Sequence, residues 1–253
     1  MALRLEGDLV NKPSISCFFP CFNDRGTIAS MVLSVLFTLK EVSDDYEVIV
    51  VDDGSEDGAR ELLERMQGIF SEHLRLVFHE NNRGYGGALI SGFAAATKDW
   101  VFYTDGDAQY NPAQLKLLVE AMDEDIDLVQ GYKTRRNDPI HRKFIGGIYQ
   151  HLIRFGFGLE IWDVDCDFRL IRRKAMEDFH LTRRSGAICV ELMRKLQDAG
   201  ARFTEVGVQH HFRVYGQSQI FNISRLVRSL WQLGGLWIEL IGLPAWRGRR
   251  ESR

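Results

Sequence analysis

Two carboxylates separated by a single glycine follow an apolar, β-prone run. The run 101–104 ends in Asp105, Gly106 and Asp107, and an amide side chain follows at Gln109. Two ionised carboxylates this close repel each other. A hard divalent cation relieves that repulsion, and magnesium commonly takes one or two carboxylates together with the phosphate oxygens of a substrate. The segment therefore predicts a metal–diphosphate site at the end of a buried strand. The alternative is an acidic turn, because Asp-Gly is a common turn dipeptide.

Strand and helix patterns alternate along the first 130 residues. Strands are predicted at 14–20, 46–51, 74–78, 100–104 and 126–130, and helices at 28–40, 56–70, 84–97 and 112–124. Thr27 is a plausible N-cap for the first helix. This alternation predicts an α/β fold with a mostly parallel sheet and helices on both faces. Ligands of such sheets bind beyond the carboxyl ends of the strands, where the chemically informative segments also fall.

Two of these segments have alternative interpretations. Asp53 follows the second strand, where a carboxylate can bind a ribose or a base, or can cap the next helix. The glycine-rich segment 82–87 follows the third strand and lacks the full spacing of a dinucleotide fingerprint. Its glycines instead predict a loop that lets the backbone approach a ligand.

Several motifs together resemble those of family 2 glycosyltransferases, which have the Rossmann-like GT-A fold. The motifs are Phe19–Asp24, Val50–Ser55, Asn82–Gly84 and Asp105–Asp107. Asp167–Leu170 and Arg213–Ser218 extend the resemblance to the branch of dolichol-phosphate mannose synthases and polyprenyl-phosphate glucosyltransferases. The resemblance covers roughly residues 14–220 and is specific as a set of motifs.

The resemblance implies roles for individual residues. The nucleotide sugar would be bound by Pro20, Phe22, Asp24, Asp53, Asp105, Gly106 and Arg213. Asp105, Asp107 and Gln109 would hold Mg²⁺ or Mn²⁺ on the diphosphate. The family usually has Tyr and Glu at the positions of Phe22 and Asp24, and a Lys where this chain has Gln219. One phosphate-binding cation is therefore missing from the motif.

The charge of the chain is divided unevenly between its halves. Residues 1–130 hold 10 Lys and Arg against 23 Asp and Glu, whereas residues 131–253 hold 22 against 12. The basic half predicts an anionic partner, and the acidic half argues against a general nucleic-acid binder. A basic loop is predicted at 133–143, in which Arg136, Arg142 and Lys143 would bind an acceptor phosphate or lipid headgroups. The alternative is a solvated charged face.

The C-terminal part predicts contact with a membrane surface. Segment 223–243 is amphipathic, and Trp231, Trp237 and Trp246 add apolar area. Burial against the sheet or in a homo-oligomer is the alternative for these tryptophans. No uninterrupted apolar run is long enough to span a membrane. We expect a glycosyltransferase domain at 1–220 and an amphipathic extension at 221–253. Four irregularly spaced cysteines fit a reducing compartment, so the cytoplasmic membrane face is predicted.

The predicted activity is metal-dependent, inverting transfer of a hexose from a UDP- or GDP-sugar to a polyprenyl phosphate. Two alternatives stay open. In the first, the acceptor is a hydroxyl of a glycan or glycolipid, and Glu191 is the catalytic base that deprotonates it. In the second, the chain is a non-catalytic nucleotide-sugar-binding module, which the Asp105, Asp107 and Gln109 set disfavours.

Overall fold

The computed structural model describes residues 12–135, 140–213, 215 and 231–243, without the side chains of 135, 140–146, 148 and 149. The strands are β1 (Ile15–Cys21), β2 (Tyr46–Asp52), β3 (Leu74–Phe78), β4 (Trp100–Thr104), β5 (Leu128–Arg135), β6 (Phe168–Arg172) and β7 (Phe203–Gln209). The helices are α1 (Arg25–Val42), α2 (Ala59–Ile69), α3 (Tyr85–Ala95), α4 (Leu115–Glu120), α5 (Ile140–Phe157) and α6 (Ala187–Asp198). Residues 231–243 form a further helical segment, called here the C-terminal helix.

The seven strands form one sheet in the order β3-β2-β1-β4-β6-β5-β7. All neighbouring pairs are parallel except those of β6, which runs antiparallel to both β4 and β5. The prediction of a mostly parallel sheet flanked by helices is confirmed.

Strand β2 explains why both faces of the sheet are covered. Val48 and Val50 pack into one hydrophobic cluster with α1 and α2, whereas Ile49 and Val51 pack into the other with α3 and α6. Successive side chains of a strand point to opposite faces. A strand buried on both faces therefore reads as a continuous apolar run, as β2 does.

Strand β6 was not predicted, because a charged residue interrupts its apolar sequence. Arg169 is fully buried within it. Its Nε donates to Gln130 Oε1 at 2.7 Å and its Nη1 to Asp167 Oδ1 at 2.8 Å. Further bonds run to the Tyr103 hydroxyl and the Val164 carbonyl. A buried charge is tolerated when it is paired and fully hydrogen-bonded, which explains an arginine at this position.

Several predicted boundaries are wrong, including the following three. The basic loop 133–143 is shorter than predicted, since β5 continues to Arg135 and α5 begins at Ile140. Helix α1 begins at Arg25, so Thr27 lies inside its first turn and Asp24 takes the N-cap position. Helix α2 begins only at Ala59, because the residue before it is a glycine in the left-handed conformation, with φ of 83°.

The C-terminal helix packs onto the domain. Leu233 and Leu236 are buried in the same hydrophobic cluster as α6. Trp237 Nε1 donates to the Gly156 carbonyl of α5 at 2.7 Å. No helix within the described part of the chain is long and apolar enough to cross a membrane. Trp246 and the predicted boundary at residue 220 lie outside the described residues.

Candidate active site

The loops that follow β1 and β2 are joined at the carboxyl edge of the sheet. Asn23 donates its backbone N–H to Ser55 Oγ at 2.9 Å, and its Oδ1 accepts the backbone N–H of Glu56 at 2.8 Å. Asn23 has a φ of 58°, a left-handed conformation that asparagine tolerates better than most residues. The Asp53 N–H donates to the Cys21 carbonyl at 2.9 Å. These bonds bring the predicted nucleotide-binding segments together.

The Asp-Gly-Asp turn after β4 is pressed against the start of α1. A Cβ at Gly106 would lie 3.0 Å from the Pro20 carbonyl oxygen and 3.1 Å from Ile28 Cδ1. Thr27 Oγ1 donates to the Gly106 carbonyl at 2.8 Å. Only glycine fits this gap without displacing its neighbours, so Gly106 sets the position of the carboxylates on either side. Pro20 is buried and Phe22, just beyond β1, is half-buried.

Asp105 carries the strongest signs of a missing partner. Its Oδ1 is buried and has no hydrogen-bond partner among the described residues. Burial raises the pKa of Asp105 well above its ordinary value, and the neighbouring carboxylates of Asp167 and Asp107 raise it further, while the nearby Tyr85 hydroxyl opposes the shift. Three carboxylates therefore converge at the end of β4, where their mutual repulsion favours a cation.

Asp167 was assigned no role from the sequence, although it lies in one of the recognised motifs. Because β6 is antiparallel to β4, Phe168 pairs with Thr104 and Asp167 reaches the edge where β4 ends. Its Oδ1 accepts from Arg169 and from the Cys189 thiol at 3.2 Å. The position of Asp167 could have been predicted only by knowing that β6 runs antiparallel to β4.

Asp24 is a second carboxylate held at a cost. Its side chain is almost completely buried, its Oδ1 has no hydrogen-bond partner within the described structure, and its Oδ2 accepts only the Phe22 N–H, at 3.3 Å. Burial raises the pKa of Asp24 to about 6, and the charge of Asp107 adds to the shift while the Phe22 N–H and Arg213 oppose it.

The Asp24→Asn variant is expected to be more stable than wild type at pH 7 without metal or nucleotide. From pH 3.8 to about 6, the folded state keeps a proton that the unfolded state releases, so the free energy of unfolding falls as the pH rises. Asparagine removes this loss, which amounts to about 2–3 kcal/mol at pH 7. Urea unfolding at pH 7 and pH 3.5 measures it. An equal gain at both pH values would contradict the assignment to the carboxylate.

Asp107 is paired with an arginine from the far end of the chain. Its Oδ1 accepts the Gln109 N–H at 3.0 Å, and its Oδ2 accepts from Arg213 Nη2 at 2.5 Å. The Gln109 amide Nε2 donates to the His211 carbonyl at 3.3 Å, and the His211 N–H donates to the Gln109 carbonyl at 2.8 Å. The segment after β7 is thereby attached to the Asp-Gly-Asp turn.

The Asp53 carboxylate is bonded to backbone and side-chain groups of the loop after β3. Its Oδ1 accepts the Arg83 N–H at 2.8 Å and contacts His79 Nδ1 at 2.6 Å, while its Oδ2 accepts the Gly84 N–H at 2.9 Å. His79 is buried, and its Nε2 contacts Ser91 Oγ at 2.9 Å. Asp53 therefore fixes the loop after β3. Its predicted contact with a nucleotide stays a prediction.

The glycines after β3 admit a segment of the chain itself. A Cβ at Gly84 would lie 2.5 Å from the Arg184 carbonyl oxygen, and one at Gly86 would lie 2.1 Å from that of Arg183. The Gly86 N–H donates to the Arg184 carbonyl at 3.1 Å. The glycines do permit a close approach, as predicted, but the group that approaches is backbone 183–184.

Glu191 holds that segment from the other side. Its two oxygens accept the backbone N–H groups of Thr182 and Arg183 at 2.9–3.0 Å, the Thr182 hydroxyl at 2.8 Å and the Lys195 ammonium at 2.7 Å. Glu191 is completely buried. This geometry gives Glu191 a positioning role for segment 182–184. Its role as a catalytic base stays a prediction.

The three predicted acceptor-phosphate residues are not among the described side chains. Arg136 lies outside the described residues, and Arg142 and Lys143 lie in the first turn of α5 without described side chains. Among the described cations, Arg213 pairs with Asp107, and the buried Arg169 pairs with Asp167 at 2.8 Å.

Parallel α/β sheets bind their ligands beyond the carboxyl ends of the strands, and this chain gathers carboxylates and an arginine there. A sequence model of glycosyl transferase family 2 matches residues 16–179, and the chain belongs to this family. It is a glycosyltransferase, as the motifs predicted.

Two similar enzymes come from Yersinia pestis (strain Pestoides F) and Yersinia pseudotuberculosis serotype O:3 (strain YPIII). Both are named undecaprenyl-phosphate 4-deoxy-4-formamido-L-arabinose transferase. Each is 27% identical over 227 residues, which cover 88% of this chain and 68% of the relative.

Glucosyl-3-phosphoglycerate synthase from Mycobacterium tuberculosis has a similar structure. Its complex with Mn²⁺, UDP and phosphoglyceric acid gives a TM-score of 0.64 at 20% identity, covering 90% of this chain and 78% of that one. Its complex with Mg²⁺ and UDP gives 0.63 at 19% identity, covering 91% and 80%. This likeness confirms the GT-A fold.

Proposed function

We propose that the chain transfers a hexose, with inversion, from a nucleotide-diphosphate sugar to a polyprenyl phosphate at a membrane surface. The observation that carries the proposal is the convergence of Asp105, Asp107 and Asp167 around a buried oxygen without a partner. The relatives named for an undecaprenyl-phosphate transfer support the lipid acceptor. The structural neighbour solved with UDP supports a nucleotide donor.

The acidic edge fits a divalent cation. In the described part of the chain, no three or more His, Cys, Asp or Glu side chains are placed so that they could hold a metal ion by themselves. The described residues do offer Asp105, with its unpartnered oxygen, and Asp107 beside it. Magnesium and manganese accept one or two carboxylates when substrate phosphates supply further oxygens. The neighbours solved with Mn²⁺ or Mg²⁺ support the same assignment, with Gln109 as a third proposed ligand. Such an ion stabilises the negative charge of the leaving diphosphate.

The residues of the chain then have distinct tasks. Pro20, Phe22 and Asp24 line the space beyond β1 in which the base and ribose are proposed to bind. Arg213 carries the one described guanidinium paired with the Asp-Gly-Asp turn, and it can pair with diphosphate oxygens. A polyprenyl phosphate is already ionised near neutral pH, so its oxygen attacks the anomeric carbon without a base.

We propose that α5 and the C-terminal helix contact the membrane surface. Exposed apolar side chains extend along both: Leu152 is 68% exposed, Phe155 83%, Trp231 80% and Ile238 55%. Large exposed aromatic and aliphatic side chains on adjoining helices suit the interface of a lipid bilayer. The predicted basic residues 136, 142 and 143 precede or begin α5, where they can meet lipid phosphate.

Transfer assays with matched acceptors test the acceptor class. The purified protein is incubated with Mn²⁺ and a panel of UDP- and GDP-hexoses, with either undecaprenyl phosphate or undecaprenol in vesicles. Product is expected only with the phosphate, because the alcohol requires a base to remove its proton. Mass spectrometry identifies the product. Transfer to undecaprenol alone would favour the hydroxyl-acceptor alternative. Tight sugar-nucleotide binding without turnover on either acceptor would favour the non-catalytic module.

A further inference from the structure

Arg213 is paired with Asp107, one of the carboxylates that are proposed to bind the metal. The Asp107 side chain is only 3% exposed, and its two oxygens accept from Gln109 at 3.0 Å and from Arg213 at 2.5 Å. The guanidinium therefore neutralises the charge of Asp107. In this arrangement each oxygen of Asp107 already accepts a hydrogen bond, so a second cation would have to share it.

The chain near Arg213 makes a second contact with the domain, through Tyr215. Two residues further on, the ring of Tyr215 lies over Gly26 in the first turn of α1. A Cβ at Gly26 would lie 2.4–2.8 Å from three atoms of that ring. Arg213 and Tyr215 thus attach one segment to both the Asp-Gly-Asp turn and α1. Tyr215 is 41% exposed, so it can leave its seat without unfolding the core.

We propose that Arg213 holds the cation position on Asp107 until a nucleotide diphosphate arrives, so that metal binding depends on the nucleotide. The proposal rests on the metal–diphosphate site of the proposed function and adds how that site is loaded. Tyr215 and Gly26 act as positioning residues, because they fix where Arg213 can reach.

Electrostatics explains why the metal ion would replace Arg213 at Asp107 only when a nucleotide diphosphate is bound. A guanidinium and a divalent ion repel each other, so each weakens the binding of the other to the same carboxylate. A metal ion alone would have to displace Arg213 and leave the guanidinium without a partner. A diphosphate changes this balance, because its oxygens supply the metal with further ligands and the guanidinium with a new anionic partner. Metal and nucleotide therefore stabilise each other's binding, which is reciprocal by linkage.

Manganese binding without substrate turnover tests the proposal. Isothermal titration with MnCl₂, with and without saturating UDP or GDP, is carried out on the full chain and its variants. Arg213→Ala is expected to bind Mn²⁺ alone about tenfold more tightly than wild type, because the competing cation is gone. The gain in Mn²⁺ affinity caused by the nucleotide is expected to shrink by a similar factor. Arg25→Ala, an exposed arginine in the first turn of α1, is the control and is expected to change neither value.

The Gly26→Ala variant tests the contact of the Tyr215 ring with Gly26 separately from the charge of Arg213. The added methyl group displaces the Tyr215 ring, while Arg213 keeps its guanidinium for the diphosphate. Mn²⁺ alone is expected to bind about threefold more tightly, with nucleotide affinity preserved. If neither Arg213→Ala nor Gly26→Ala binds Mn²⁺ alone more tightly than wild type, the proposal is overturned. This result is independent of sugar transfer, so a wrong acceptor or donor would leave it intact.

Discussion

Replacing Asp107 by asparagine is expected to reduce sugar transfer at least about a thousandfold, equivalent to about 4 kcal/mol of transition-state stabilisation. The carboxylate is one of two that are proposed to hold the divalent ion against the leaving diphosphate. An asparagine oxygen binds a hard divalent cation more weakly because it has no negative charge. The measurement is the initial rate of transfer at saturating Mn²⁺, with the sugar nucleotide that gives the highest wild-type rate.

The Asp107→Asn variant is expected to fold normally. Its amide oxygen can still accept the Gln109 N–H that Asp107 accepts at 3.0 Å. Asp125→Asn is the matched control, since it makes the same chemical change at a carboxylate that is 75% exposed and paired only with Arg202. Transfer by the control is expected at the wild-type rate. A wild-type rate for Asp107→Asn with an unchanged melting temperature would show that this carboxylate holds no essential ion.

The sequence predicted Asp53, Asp105 and Asp107 at the acidic edge of the sheet because each of them follows a recognisable strand. The apolar runs before Asp53 and Asp105 are buried on both faces of the sheet, and such runs can be identified without a structure. The carboxyl ends of β1, β2 and β4 must then meet at one edge, since these strands are parallel. This topology brings the ends of strands that are far apart in the chain to the same edge of the sheet.

What the sequence could not supply are contacts that depend on long-range reversals. Strand β6 returns between β4 and β5 and carries Asp167 to the acidic edge, but its buried Arg169 conceals its apolar pattern. The attachment of Arg213 to Asp107 likewise joins residues 106 positions apart. No local periodicity encodes either contact.

The role of Asp53 could not be predicted for the same reason. Asp53 was expected to face a ligand, and in this structure its oxygens hold the loop after β3. The glycines of that loop make room for backbone 183–184. A carboxylate at a strand end is compatible with ligand binding and with loop fixation, and sequence alone does not distinguish them. Backbone 182–184 is hydrogen-bonded in turn to Glu191, so the loop after β3 is also held from α6.

Glu191→Ala is expected to lower the free energy of unfolding by about 3 kcal/mol at pH 7, since it leaves the partly buried Lys195 ammonium and two backbone N–H groups without their partner. For a domain of this size the melting temperature is expected to fall by about 6–12 °C. Asp198→Asn on the same helix is the control. Its carboxylate is 44% exposed and pairs with Arg194, so the expected loss is below about 1 kcal/mol.

The pH dependence of this loss distinguishes the carboxylate from its mere volume. Burial raises the pKa of Glu191, but the bonds donated by Lys195, Arg183 and Thr182 outweigh it and leave the pKa below its ordinary value of 4.5. Glu191 therefore contributes stability above pH 4.5, and this contribution is lost as the pH falls through the lowered pKa. The difference in unfolding free energy between wild type and Glu191→Ala is expected to narrow below pH 4.5. A difference that stays constant from pH 7 to pH 3 would mean that packing alone explains the loss, and that the charge of Glu191 does not hold segment 182–184.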